Sequence, residues 1–316
     1  MKKKTESQIK QNTKLLMFAG LFLAVLLTTN AGTYFLSTGR VSELDSSKFP
    51  LLNPARAFID QKDLIVNFQP LRDYLNEQYE TDLNISIYFE YLPTGANIAI
   101  NKDAEFYPAS LLKVPVAMAV VKKIERGEWK WGNELVLMST DKDEKFGTLY
   151  KKPTNSTYTI DELVRRSLSD SDNTAHFMLV RNLEIEEMKD VYDHMGLKGF
   201  LDTEGSLSAK RYALIFRALY SASYVNEENS QKLLSYLSQS PFDTYIQSGL
   251  LKDIPFAHKI GIDVDKKIHL DSGIVYLKNR PYLLTVMTKG KDEKNAQKIM
   301  EDLSRKVYNY VENYEE

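Results

Sequence analysis

The sequence predicts an α+β fold: an antiparallel sheet built from both chain ends, with flanking helices and an all-helical subdomain inserted between them. Three observations carry this. A hairpin pattern precedes residue 100, a second follows residue 267 and runs into a long amphipathic stretch, and the middle from about Ser110 to Leu251 is mostly helical in its apolar spacing.

In order, Leu71, Tyr74, Leu75 and Tyr79 repeat at helical spacing and predict the first helix of the body. Asn84 to Tyr91 reads as a strand, Pro93-Thr94-Gly95 as a turn, and Asn97 to Ile100 as the returning strand. An apolar helix opens at Ser110 and runs to Gly127, and Thr159-Ile160-Asp161-Glu162 is a capping-box signature for another. Ile254 to Ile262 is strand-like. Ile268 to Leu277 and Tyr282 to Thr288 form the second hairpin around Lys278-Asn279-Arg280-Pro281. The last helix places Ala296, Ile299, Met300, Leu303, Val307, Tyr310, Val311 and Tyr314 on one stripe. A cleft between sheet and helical insert is the expected place for a site.

Composition narrows the chemistry. With 43% hydrophobic and 27% charged residues, the 316-residue chain is neither disordered nor collagen-like. The absence of cysteine excludes a thiol nucleophile, an Fe–S cluster, Cys-ligated zinc and a disulfide framework. Forty-one basic against 43 acidic residues give −2, which provides no electrostatic case for nucleic acid. No His-Glu-x-x-His and no acidic cluster with ligand spacing occurs, so no metal or other cofactor is expected. His176, His194 and His269 read as structural, and Gly-x-Ser-x-Gly is missing.

The charge is unevenly spread: residues 1–40 carry +5, leaving −7 on the rest. Lys2, Lys3, Lys4, Lys10 and Lys14 precede a stretch without charge that ends at Arg40. Basic residues before such a stretch hold that end in the cytoplasm, and its full length suffices to span a bilayer. Its strongly apolar part, Leu15 to Leu27, is only signal-peptide length, and Thr29-Asn30-Ala31 is a passable cleavage site. Residues 1–40 are therefore expected to be a single-pass anchor, or a cleaved signal, with the body outside the cytoplasm. Residues 41–66, with Pro50 and Pro54, read as a tether, and 67–316 as the catalytic body. Nothing in that body demands a partner chain, so a monomer is expected.

Three short motifs carry the chemistry. Ser110-Leu111-Leu112-Lys113 puts a hydroxyl and an amine one helical turn apart, where a lysine of depressed pKa can accept the serine proton. Ser-x-x-Lys is cheap, and Ser7-Gln8-Ile9-Lys10 matches it on the wrong side of the membrane. Ser171-Asp172-Asn173 supplies a hydroxyl for proton relay and an amide, though three small polar residues between helices also read as a loop and N-cap. His258-Lys259-Ile260-Gly261 places a cation in an apolar strand, and Gly261 permits close approach of a ligand to the backbone.

Taken in this order and spacing, the three motifs resemble those of the penicillin-recognising serine hydrolases, specifically the class A β-lactamase group. The resemblance covers about Phe68 to the end. Phe146-Gly147-Thr148-Leu149 and Leu207 to Tyr220 support it. It implies a serine hydrolase that opens β-lactam rings through an acyl-serine intermediate. Ser110 would be the nucleophile, Lys113 would help deprotonate it, and Ser171 would relay a proton to the leaving nitrogen. Asn173 would hold the substrate's side-chain amide beside Phe146, and Lys259 would attract its carboxylate. The backbone N–H groups of Ser110 and of Ile262, next to Gly261, would form the oxyanion hole.

Two departures qualify this. The family has Thr or Ser where Ile260 stands, so carboxylate recognition must rest on Lys259 and neighbours such as Ser272. The omega-loop Glu-x-x-Leu-Asn that activates the deacylating water is missing, in a segment roughly a dozen residues short. Only Asp202 and Glu204 occupy that region, and Glu204 is the candidate base. The alternatives are a cell-wall D,D-peptidase or transpeptidase of the same fold, acting on peptidoglycan stem peptides, and a catalytically impaired binding domain.

Overall fold

Every strand predicted from alternation pairs in one five-stranded antiparallel sheet. The computed structural model describes residues 48–53, 64–202 and 205–314. The N-terminal segment 1–40, most of the tether and Glu204 therefore lie outside the described residues. Among the described residues no helix is long and apolar enough to cross a membrane.

In chain order the body comprises α1 (Gln69–Tyr79), β1 (Ile85–Tyr91), β2 (Ala96–Ile100), α2 (Lys113–Glu125), β3 (Glu134–Val136), β4 (Thr157–Thr159) and α3 (Ile160–Leu168). Then follow α4 (Asn173–Val180), α5 (Ile185–His194), α6 (Ala209–Tyr220), α7 (Glu227–Leu237), β5 (Phe256–Asp263), β6 (Ile268–Val275), β7 (Tyr282–Lys289) and α8 (Glu293–Glu312). The sheet order is β2-β1-β7-β6-β5, so the two chain ends meet where β1 pairs with β7. The β3–β4 ladder, three residues on each strand, is too short to leave a periodic signal.

Period-two alternation divides the sheet's side chains between two apolar layers. Ile85, Ile87, Phe89, Tyr91, Phe256, Ile260, Leu284 and Val286 face a rear layer with Leu71 and Leu75 of α1 and Ala296, Met300, Leu303 and Val307 of α8. Tyr88, Ala257, Leu270, Ile274, Leu283 and Met287 face the helical side. Each fully buried leucine in these layers contributes about 1.5–3 kcal/mol over an exposed one.

The helix α2 is buried from Lys113 through Val121, which explains a sequence apolar on all sides. Pro115 falls in its first turn, where no backbone N–H is required. Thr159 caps α3, its Oγ accepting from Glu162 N at 3.2 Å, while the Glu162 carboxylate takes Arg166 Nε at 2.9 Å. The expected capping box is thus half made, the Glu162 carboxylate pairing with Arg166 in place of the Thr159 backbone.

The tether boundary shifts. Leu52 is buried, Asn53 N donates to Tyr220 O at 2.8 Å, and Tyr276 OH donates to Leu51 O at 2.9 Å. Residues 49–53 therefore pack onto the body instead of linking to it, because their leucines find an apolar seat beside α6.

Candidate active site

The site grows from a turn that the sequence reading assigned to a helix. Ser110 sits in a 3-10 turn, Ala109–Leu112, which passes into α2 at Lys113. In a 3-10 turn residues i and i+3 eclipse, which stacks these two side chains directly. Lys113 Nζ donates to Ser110 Oγ at 2.8 Å and to Asn173 Oδ1 at 2.6 Å. Burial pushes the Lys113 ammonium down to about 8, although Asp172 and Asp143 pull it up. Ala109 holds φ 45°, a left-handed value that costs a non-glycine residue energy and fixes the angle at which Ser110 is presented.

The second motif is pinned by its middle residue. The Asp172 carboxylate caps α4 by accepting from Ala175 N at 3.0 Å, and it also accepts from Thr148 N at 2.8 Å and Leu149 N at 2.9 Å. Gly147 makes this possible: its φ is +87°, and a Cβ there would stand 2.2 Å from the Asp172 carboxylate carbon. Asn173 N donates to Phe146 O at 3.1 Å, which ties the half-buried Phe146 to the site's edge. Ser171 is buried at φ 55°, a second left-handed residue in the site.

The Asn173 side chain bridges two charged partners. Its Oδ1 accepts from Lys113, and its Nδ2 donates to Asp143 Oδ1 at 2.8 Å. A lysine can only donate and a carboxylate only accept, so the orientation of the amide follows from its neighbours. Asp143 and Asp172 were not among the residues singled out from sequence. Asp172 left a signal, since it sits inside the second motif, whereas Asp143 in Lys142-Asp143-Glu144-Lys145 looks like solvated charge.

The third motif lies on β5, the sheet edge, which pairs only with β6 among the described strands. Lys259 is fully buried on the helical face, with the Phe242 ring 5.8 Å from its Nζ. Burial holds its ammonium well below the ordinary lysine range, and the charge of Lys113 lowers it further against the opposing pull of Asp271 and Asp170. His176, on α4, is likewise pushed down to about 3 by burial and then by both lysines. It is uncharged at neutral pH, with Nδ1 buried and unbonded.

Packing fixes three further positions. Gly261 leaves room for the turn carrying Ser110, for a Cβ would stand 2.9 Å from Pro108 O and 3.2 Å from Leu111 Cγ. Ile260 faces the rear layer, where it is buried with Phe256 and Tyr245. Ser272 pairs with Lys259 across β5–β6 but is fully buried, its hydroxyl 2.6 Å from Thr285 Oγ1, so it is not open to a carboxylate.

Ile262 is half-buried on β5, and Leu207 bridges to Phe106 through reciprocal 3.0 Å bonds four residues ahead of Ser110. Asp202 ends the short turn Phe200–Asp202, and Glu204 lies outside the described residues. Between α4 and α6 the described acids include Glu187, bonded to Lys123 at 2.7 Å and Arg126 at 3.0 Å, and Asp190, bonded to Tyr224 OH at 2.7 Å.

The arrangement can therefore activate a hydroxyl with a buried amine at the floor of a partly exposed rim. Ser110, Asn173, Asp143, Phe146 and Ile262 are the partly exposed members, while Lys113, Ser171 and Lys259 are buried.

Comparison with known proteins bears on this geometry. A family model described as the beta-lactamase enzyme family matches residues 69–311. No curated protein matches the sequence. A β-lactamase of Sphaerobacter thermophilus superposes with a TM-score of 0.69 at 21% identity, covering 78% of this chain and 98% of that one. A β-lactamase of Xanthomonas campestris gives 0.69 at 17%, covering 78% and 100%. A variant of PBP-A, as an acyl-enzyme complex with penicillin G, gives 0.67 at 22%, covering 78% and 96%.

Proposed function

The chain belongs to the beta-lactamase enzyme family, and from that membership we propose that it is a serine hydrolase that opens β-lactam rings through an acyl-enzyme on Ser110. One observation carries the reading: Lys113 Nζ lies 2.8 Å from Ser110 Oγ while burial brings its pKa to about 8. At neutral pH a tenth or so of such an amine is unprotonated, enough for a general base whose pKa lies near the working pH.

Ser110 Oγ attacks the amide carbonyl carbon as its proton passes to neutral Lys113. The backbone N–H groups of Ser110 and Ile262 stabilise the resulting oxyanion. The C–N bond breaks, and Ser171 hands a proton to the leaving nitrogen. Lys259, whose ammonium is disfavoured by burial, would be favoured in its charged form by the carboxylate of an anionic substrate. The lysine-led uncharged segment supports a body held outside the cytoplasm by its N-terminus.

A penicillin-binding D,D-peptidase is the second reading. It is favoured by the partners of Glu187 and Asp190, which tie these two acids to Lys123, Arg126 and Tyr224 and so offer neither as a free deacylating base. A variant of PBP-A in the same fold forms an acyl-enzyme complex with penicillin G.

Intact-mass spectrometry of the body with a penicillin and a cephalosporin tests both. An adduct that decays as hydrolysed drug accumulates supports the β-lactamase. A persistent adduct supports the peptidase. No adduct, or one that survives Ser110→Ala, sinks the enzyme readings for these drugs.

A further inference from the structure

The Asn173 amide meets a carboxylate on its outer side, and this has a consequence for substrate choice. With Oδ1 held by Lys113 and one N–H of Nδ2 directed at Asp143 Oδ1, the acyl-side end of the rim presents a charged acceptor next to the remaining amide N–H. The Asp143 position is well fixed. Its Oδ1 also accepts from Lys145 N at 2.9 Å, its backbone N donates to Thr174 Oγ1 at 3.0 Å, and Thr174 Oγ1 lies 3.3 Å from its carbonyl. These contacts anchor the carboxylate to α4 itself, so it moves with Asn173.

We propose that Asp143 is a specificity-determining residue which makes the acyl-side subsite select substrates carrying an ammonium or another strong donor near the scissile carbonyl. A neutral amide carbonyl brought to Asn173 Nδ2 can take only the second N–H and must stand beside the negative charge of Asp143. A substrate carboxylate there meets direct repulsion. An ammonium instead replaces the Asn173 contact with a charge-assisted bond, the stronger kind. The physiological class that fits is a peptide whose acyl-side residue bears a free amine. The inference rests on acylation of Ser110 as proposed above.

The test uses three penicillins that differ only at the side-chain α-carbon, bearing an ammonium, a hydrogen or a carboxylate. Acylation rate constants are measured for the full chain and for Asp143→Asn, which keeps an oxygen to accept from Asn173 but removes the charge. Glu144→Gln, an exposed neighbour on the same loop, controls for general electrostatics. The expected order is ammonium, hydrogen, carboxylate, each step about tenfold, the size of one charge-assisted interaction. Asp143→Asn collapses the order to within about threefold and Glu144→Gln preserves it. The inference is overturned if the wild-type chain shows no order, if Asp143→Asn slows all three equally, or if Glu144→Gln collapses the order as well. Absence of acylation by all three penicillins overturns instead the reading on which it rests.

Discussion

The two faces of strands β5 and β6 carry polar groups of opposite character. On the rear face the buried His258, His269 and Asp271 of these two strands each have a partner. His258 Nδ1 lies 2.9 Å from Asp271 Oδ1, Asp271 Oδ2 accepts from Ile246 N at 3.1 Å, and Tyr245 OH lies 3.0 Å from His269 Nδ1. On the helical face, two lysines are buried close enough for the charge of one to act on the other, and both are pushed toward the neutral amine. Left-handed Ala109 and Ser171 border them. The same sheet thus supports a satisfied network that holds structure and an under-compensated one that holds reactivity.

Breaking this contrast from the helical face gives the largest effect. Lys113→Met is expected to lower the acylation rate of Ser110 by about 10³-fold, within the range for a lost general base. The melting temperature should hold or rise by about 4 °C, because a buried cation is removed. A fall in melting temperature together with retained acylation would erase the distinction between the faces.

From the rear, Asp271→Ala leaves His258 and the Ile246 N–H without a partner. The expected cost is about 3 kcal/mol from the two orphaned groups, and acylation by an anionic penicillin should weaken as well, because the Asp271 charge helps to hold the Lys259 ammonium. Urea unfolding and active-site titration with a penicillin separate these two quantities.

Gly261→Ala joins the two regions, since its Cβ would press on Pro108 O at 2.9 Å and displace the turn carrying Ser110. A stability loss of about 1–3 kcal/mol is expected from overpacking, with acylation slower by roughly ten- to a hundredfold through misplacement. Undiminished acylation would show that the turn tolerates the shift.

The smallest effect is the sharpest in diagnosis. Acylation should rise with pH and level off near 8, as Lys113 loses its proton. Because the folded pKa lies below the 10.5 of a free lysine, the native state sheds that proton first. Wild-type stability relative to Lys113→Met should therefore rise between about 8 and 10.5 and stay flat below. A level rate below pH 7 would remove Lys113 as the base.

Much of this was legible in the chain itself. Alternation from Ile85 to Tyr91 and from Tyr282 to Thr288, and the α8 stripe, place both chain ends in one sheet because side-chain period is a local property. Ser110 and Lys113 were legible for the same reason, three residues being one turn. What the sequence by itself determined is the order of elements, the pairing of the Ser110 hydroxyl with the Lys113 amine, and the absence of thiol chemistry. Only the tertiary structure decided that Lys113 is buried enough for its pKa to fall to about 8, that Asp143 reaches Asn173 thirty residues along the chain, and that Gly261 leaves room for the turn carrying Ser110. Desolvation and close approach depend on which distant segments pack together, and no local pattern of residues records that.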